Sequence, residues 1–127
     1  MSLARYEVRT SIAVSDMGPA VDFYERKLGL AAQRVQADDS RIYSCGGGTS
    51  VHVYASPAHA GKGSATLATW YVDDLERVVD ELTANGLSFE RYDEPALSTD
   101  ERGIAATPDG RVAWFRDPDG NTFAIEQ

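Results

Sequence analysis

Ala113-Trp114-Phe115-Arg116-Asp117-Pro118-Asp119-Gly120-Asn121-Thr122-Phe123-Ala124-Ile125-Glu126 reads as strand, tight turn, strand. Trp114 and Phe115 suit a pleated, half-buried surface. Pro118 fixes its own φ and keeps Asp117 out of the helical region, while Gly120 and Asn121 tolerate positive φ. Beyond the turn, Phe123 and Ile125 alternate with Thr122, Ala124 and Glu126, the period of a strand with two unlike faces. One face is core. The residues on the other face decide whether the chain can hold a metal.

Upstream, one pattern occurs twice. Residues 7–14 alternate, with Val8, Thr10, Ile12 and Val14 on one face and Arg9, Ser11 and Ala13 on the other. Ser15 and Asp16 are helix-capping residues, and a helix follows with Val21, Tyr24 and Leu28 on its apolar stripe. Gly29 ends it. Strands are expected over 31–37, 41–45 and 50–54, the last two joined by Gly46-Gly47-Gly48 as a hairpin. After a polar connection the order restarts: a strand over 66–72, caps at Asp73 and Asp74, and a helix with Leu75, Val78, Val79 and Leu82 inward. Asn85-Gly86 stops that helix, a strand follows over 87–92, and a long loop over 93–110 serves as a lid or edge. Each half therefore reads strand, helix, strand, strand, strand. Two such units, over about 5–55 and 65–127, share one core as a single domain.

Composition narrows the function classes. A chain of 127 residues is one domain's worth. Its formal net charge of −8 argues against nucleic-acid binding, which needs a basic patch. The acidity serves solubility on the plain reading and a pocket for cations on the sharper one. No apolar run is long enough to span a bilayer, and the opening Met-Ser-Leu-Ala-Arg is not a signal peptide. Cys45 is the lone cysteine, which excludes an internal disulfide and fits a reducing cytoplasm. The glycine run at 46–48 lacks the Lys-Ser/Thr of a phosphate loop. Trp70 is assigned to core. Trp114 and Phe115 take opposite faces, and which of them is inward stays open.

Three stretches carry a family resemblance. They are Ile12-Ala13-Val14-Ser15-Asp16 with Phe23-Tyr24 and Lys27-Leu28-Gly29-Leu30, then Tyr71-Val72-Asp73-Asp74-Leu75, then Phe115-Arg116-Asp117-Pro118-Asp119-Gly120-Asn121. In order and spacing the chain resembles the vicinal oxygen chelate superfamily, which includes glyoxalase I, extradiol dioxygenases and bleomycin-resistance proteins. The resemblance implies an α+β fold of two βαβββ modules, a mixed sheet curled into a cup and helices outside. It also implies a homodimer, sometimes with modules exchanged between subunits.

Metal-using members of the family take one ligand from the first and one from the last strand of each module. Carried onto this sequence, the four positions are Arg9, His52, Leu67 and Ala124. Arginine stays protonated and cannot coordinate a cation, and leucine and alanine have no donor atoms. Only His52 is competent, whereas a catalytic site normally needs three protein ligands. Neither a metal nor any other cofactor is expected.

What remains on the cup face is Arg9, Ser11, His52, Tyr54, Leu67, Thr69, Tyr71, Ala124 and Glu126, a mixed wall suited to a small molecule. Structural roles stand beside that reading. Arg9 can pair with Glu126, His52 can be an interior hydrogen-bonded residue, and the tyrosines can be amphipathic packing. The expectation is a metal-independent small-molecule binding protein like the bleomycin-resistance branch, sequestering a cationic or aromatic ligand. The alternative is a glyoxalase- or dioxygenase-like lyase, isomerase or oxygenase with a displaced ligand set around His52 and Glu126. Metal-free acid–base catalysis by the same pair is a variant of it.

Overall fold

The computed structural model describes residues 2–127. Ten strands and two helices follow in the order β1 (Thr10–Val14), α1 (Met17–Val21, continued by a π-helical turn over Asp22–Lys27), β2 (Ala31–Val35), β3 (Arg41–Ser44), β4 (Ser50–Ala55), β5 (Thr66–Tyr71), α2 (Leu75–Ala84), β6 (Asp93–Glu94), β7 (Leu97–Ser98), β8 (Ile104–Thr107), β9 (Gly110–Arg116) and β10 (Thr122–Glu126). Two four-stranded sheets have orders β1-β4-β3-β2 and β5-β10-β9-β8, and β6-β7 is a separate small hairpin. In each large sheet the first and last strands of a half run parallel and the rest antiparallel. The α+β fold with its repeated pattern is therefore as expected.

Short-range chemistry sets the element ends. Asp16 accepts from the Gly18 N–H at 2.9 Å and Asp74 from the Arg77 N–H at 3.2 Å, the side-chain caps that exposed helix starts need. The first helix departs from the simple period. Its π-helical turn closes a bond from the Leu28 N–H to the Phe23 carbonyl. Phe23 is buried beside Tyr24, on one face with Met17 and Ala20, and joins the core although the expected stripe did not include it.

One core serves both halves. Ile12, Val14, Val51 and Val53 of the first sheet meet Phe115, Phe123 and Ile125 of the second, with Tyr24, Leu75 and Val79 from the helices. The Tyr24 ring lies 6.1 Å from Tyr43 on one sheet and 6.1 Å from Phe123 on the other. Phe23 is 6.4 Å from Phe115. Trp70 packs on Phe115 and Phe123, as its core assignment required.

The strand expected over 87–92 is a correction. Only Phe89 bridges to Phe115, and the Glu90 N–H bonds to the Trp114 carbonyl. The chain then leaves β9 and returns as β8, where Ile104 pairs with Ala113 and Ala105 with Val112. Residue 104 thus takes the register place that residue 91 would have had. The segment 91–103 is an insertion into one edge strand, closed at its neck by bonds between Tyr92 and Thr99. The loop expected over 93–110 is accordingly the β6-β7 hairpin plus edge strand β8. Arg102 ties the insertion to α2 through Glu76 and Asp80.

Gly103 marks where the two parts of that strand meet. Its φ is +86°, and a Cβ there would sit 2.7 Å from Phe89 Cβ. Gly103→Ala should cost about 2 kcal/mol or more in urea unfolding. Gly46→Ala, in open space, should stay within about 0.5 kcal/mol of the parent. Tyr24 carries a second prediction. Its hydroxyl donates to buried Asp117 at 2.6 Å. Tyr24→Phe removes a bond to a charged acceptor and should lower the unfolding free energy by about 1.5–3 kcal/mol with an unchanged denaturant slope.

Candidate functional site

Alternation sorts every strand into a helix side and a cup side. Ile12, Val14, Val51, Val53, Phe123 and Ile125 are buried against the helices. Ser11, His52, Tyr54, Thr69, Ala124 and Glu126 therefore stand on the opposite face. The register of β9 on β10 settles the tryptophan question. Phe115 pairs with Phe123 on the core side, and Trp114 pairs with Ala124 on the cup side.

A first hollow of about 370 Å³ lies on the first sheet, lined by Glu7, Arg9, Ser11, Arg34, Gln36, Ile42 and His52. Its floor is a row across four strands, since Ser11 pairs with His52, His52 with Ile42, and Ile42 with Arg34. A bulge between Ala32 and Arg34 puts the Arg34 side chain into this row. Arg9 stands just before β1, and its Nε donates to Ser50 Oγ at 2.7 Å.

Hydrogen bonds orient His52. Ser40 is buried, and its Oγ donates to Asp38 Oδ1 at 2.6 Å. That oxygen lies 2.9 Å from His52 Nε2, so Ser40 anchors the imidazole. The Gln36 amide lies 3.0 Å from the same nitrogen, and the ring stacks on Tyr54 at 5.5 Å. Asp38 is held below the usual carboxylate range, chiefly by the Ser40 hydroxyl and then by the Ser40 backbone N–H.

A second hollow of about 300 Å³ lies on the second sheet, lined by Thr66, Thr69, Thr107, Asp109, Val112, Trp114, Ala124 and Glu126. Thr69, Ala124 and Trp114 form its cross-strand row. Ala124 is the narrow member, so the half-buried indole of Trp114 borders open space. Tyr92 from the insertion meets Trp114 edge-on at 5.7 Å. Between the two hollows the seam of β1 and β5 opens into a third, about 500 Å³, whose lining includes Val8, Arg9, Cys45, Thr69 and Tyr71. Arg9 borders the first hollow and the seam, and Thr69 borders the second and the seam. The seam hollow also reaches core-side residues, with Val51, Ala68 and Trp70 in its lining.

Each residue expected on this face can now be placed. Arg9, Ser11 and His52 gather in the first hollow, and Thr69, Ala124 and Glu126 in the second. Tyr71 is at the seam and 80% exposed; Tyr54 buttresses His52; Leu67 falls at a register shift between β5 and β10 and borders none of the three hollows. The pairing of Arg9 with Glu126 does not form, because Arg9 bonds to Ser50 and the two residues line different hollows. Arg34, Gln36, Trp114 and Asp109 were missing from the expected set. The alternation of 31–37 signalled a strand but not its bulge, and Asp109 reaches the site through the unexpected β8–β9 turn. His59 stays in an exposed loop, bonded to Ser56.

The family's metal does not fit these residues. Among the described residues no three of His, Cys, Asp or Glu stand close enough together to hold an ion. Of the four inherited positions only His52 carries a donor, and its Nε2 is committed to Ser40.

Comparison with known proteins agrees with the fold. A search of curated proteins found no match. Among solved structures the chain is similar to a glyoxalase/bleomycin resistance protein from Catenulispora acidiphila DSM 44928, at 22% identity and TM-score 0.70, covering 94% of this chain and 96% of that one. It is similar to TnmS3, described as an antibiotic binding protein from Streptomyces sp. CB03234, at 24% identity and TM-score 0.70, covering 96% of each chain. The fosfomycin resistance protein FosX of Listeria monocytogenes aligns at 10% identity and TM-score 0.67, covering 95% of this chain and 91% of that one. The family model described as glyoxalase/bleomycin resistance protein/dioxygenase superfamily matches residues 7–125, and the chain belongs to that superfamily.

Proposed function

We propose that this protein binds a small aromatic molecule along its cup face without a metal, as a sequestering protein and not a catalyst. The observation that carries the reading is the cup face itself. Where metal-using relatives place ligands it has Arg9, Leu67 and Ala124, and beside Ala124 the half-buried Trp114 lines the hollow. A concave surface with an aromatic wall and a few polar groups suits reversible binding. The likeness to an antibiotic binding protein supports the same reading.

A second copy of the chain is part of the proposal. Val8 is 89% exposed and Tyr71 80% exposed, both at the seam, with Leu67 exposed nearby on β5. Large apolar side chains grouped at one opening suit burial against a partner. The single cysteine supports a reducing cytoplasm as the place of action.

Three measurements test this. Dialysed protein should retain well below one equivalent of divalent metal, and added zinc or manganese should leave its melting temperature unchanged. In a thermal-shift and fluorescence screen of flat aromatic antibiotics, binders should raise the melting temperature and quench tryptophan emission. Trp114→Leu should weaken such a binder by about three- to tenfold, the worth of one aromatic contact. Light scattering should give twice the mass of one chain, falling to a single chain in Val8→Asp/Tyr71→Asp. Tight stoichiometric metal would overturn the metal-free reading.

A further inference from the structure

The first hollow carries a charge pattern opposite to that of the whole protein. Acidic residues outnumber basic ones by 20 to 12, so arginines have carboxylates to spare as partners. Arg26, Arg41, Arg77, Arg102, Arg111 and Arg116 each take one. Arg5, Arg9, Arg34 and Arg91 form no ion pair among the described residues. Arg9 and Arg34, two of those four, line the same hollow. The hydroxyl of Ser11 and the amide of Gln36 stand with them, and Glu7 is the only carboxylate in the lining.

The arrangement suits a planar oxyanion. Arg9 spends Nε on Ser50 and keeps both terminal nitrogens free. Among the described residues the exposed Arg34 guanidinium forms no ion pair and no hydrogen bond. Guanidinium forks match carboxylate and phosphate geometry with paired hydrogen bonds. A cation entering here would meet two guanidinium charges and one carboxylate. Arg9 and Thr69 both border the seam, and Thr69 also lines the second hollow with Trp114.

Resting on the binding reading above, we propose that the ligand is an aromatic acid: its oxyanion is held by Arg9 and Arg34 in the first hollow, and its rings extend along the cup face toward Trp114. This reverses the charge that the overall acidity suggests for the ligand.

Calorimetric titration with 2-naphthoate, 2-naphthyl phosphate and neutral 2-naphthamide tests it. Either anion should bind at least about tenfold more tightly than the amide, the worth of one charge-assisted contact. The stronger of the two anions tells which acid group the site prefers. Arg34→Gln and Arg9→Gln should each cost the anions about tenfold and leave the amide unchanged. Arg5→Gln, an unpaired arginine outside the hollow, should change nothing. If amide and anions bind alike, or if the arginine variants weaken all three equally, the anion site is overturned and the binding reading survives. If none of the three binds, both fall together.

Discussion

A buried carboxylate holds the two halves of this protein together. Asp117 accepts from the Tyr24 hydroxyl, from both the backbone and side-chain nitrogens of Asn121, and from the Asp119 N–H, at 2.6 to 3.0 Å. Two of those donors work in both directions. Asn121 also donates to the Ala13 carbonyl of β1 and accepts from the Gly61 N–H, and Asp119 accepts from the Ser15 N–H. The turn of the last hairpin is thus wired to the first strand, the first helix and the connection between halves. Burial, and then the Asp117 charge, push the Tyr24 phenol far above its ordinary value, so it remains a donor at any working pH. Losing one partner would leave the others buried and short of a bond, which costs more than the bond itself contributes.

The same hub explains what could be read from sequence. The Asp-Pro-Asp-Gly-Asn turn, the caps at Asp16 and Asp74 and the two-residue alternation are written in neighbouring residues. Their chemistry is local, and they appeared where expected. Three features depended on partners far along the chain and were not legible. Phe23 is buried beside Tyr24 against aromatic rings of the second sheet, a partner the helix's own residues do not announce. The second sheet's edge strand is split by an insertion, which only its pairing with β9 reveals. Arg34 joins the cup face through a bulge whose extra residue shows only against β3. The apolar and aromatic wall was therefore half visible, and of the two arginines in the first hollow Arg9 was read and Arg34 was missed.

The vacated metal positions change more than coordination. Ala124 sits in register with Trp114 and Thr69, so a long ligand side chain there would project over the indole. With a methyl group there, Ala124 and the half-buried Trp114 both line the second hollow. On the proposed binding reading, contact area on an aromatic ring takes the place of a directed bond, which trades chemistry for tolerance of ligand shape. His52, the surviving donor, is held by Ser40 and stacked on Tyr54, which gives it a fixed place in the floor of the first hollow.

Net charge and local charge act over different distances. At physiological salt the field of the acidic surface decays within about 8 Å, whereas a guanidinium in contact with an oxyanion is barely screened. An acidic exterior therefore slows the approach of an anion without deciding whether it stays. Residence is set by the groups it touches, and in the first hollow those are Arg9 and Arg34 against the single carboxylate of Glu7. On the proposed reading, an acidic protein can in this way repel polyanions such as nucleic acid while still retaining a small acid whose charge is met by Arg9 and Arg34.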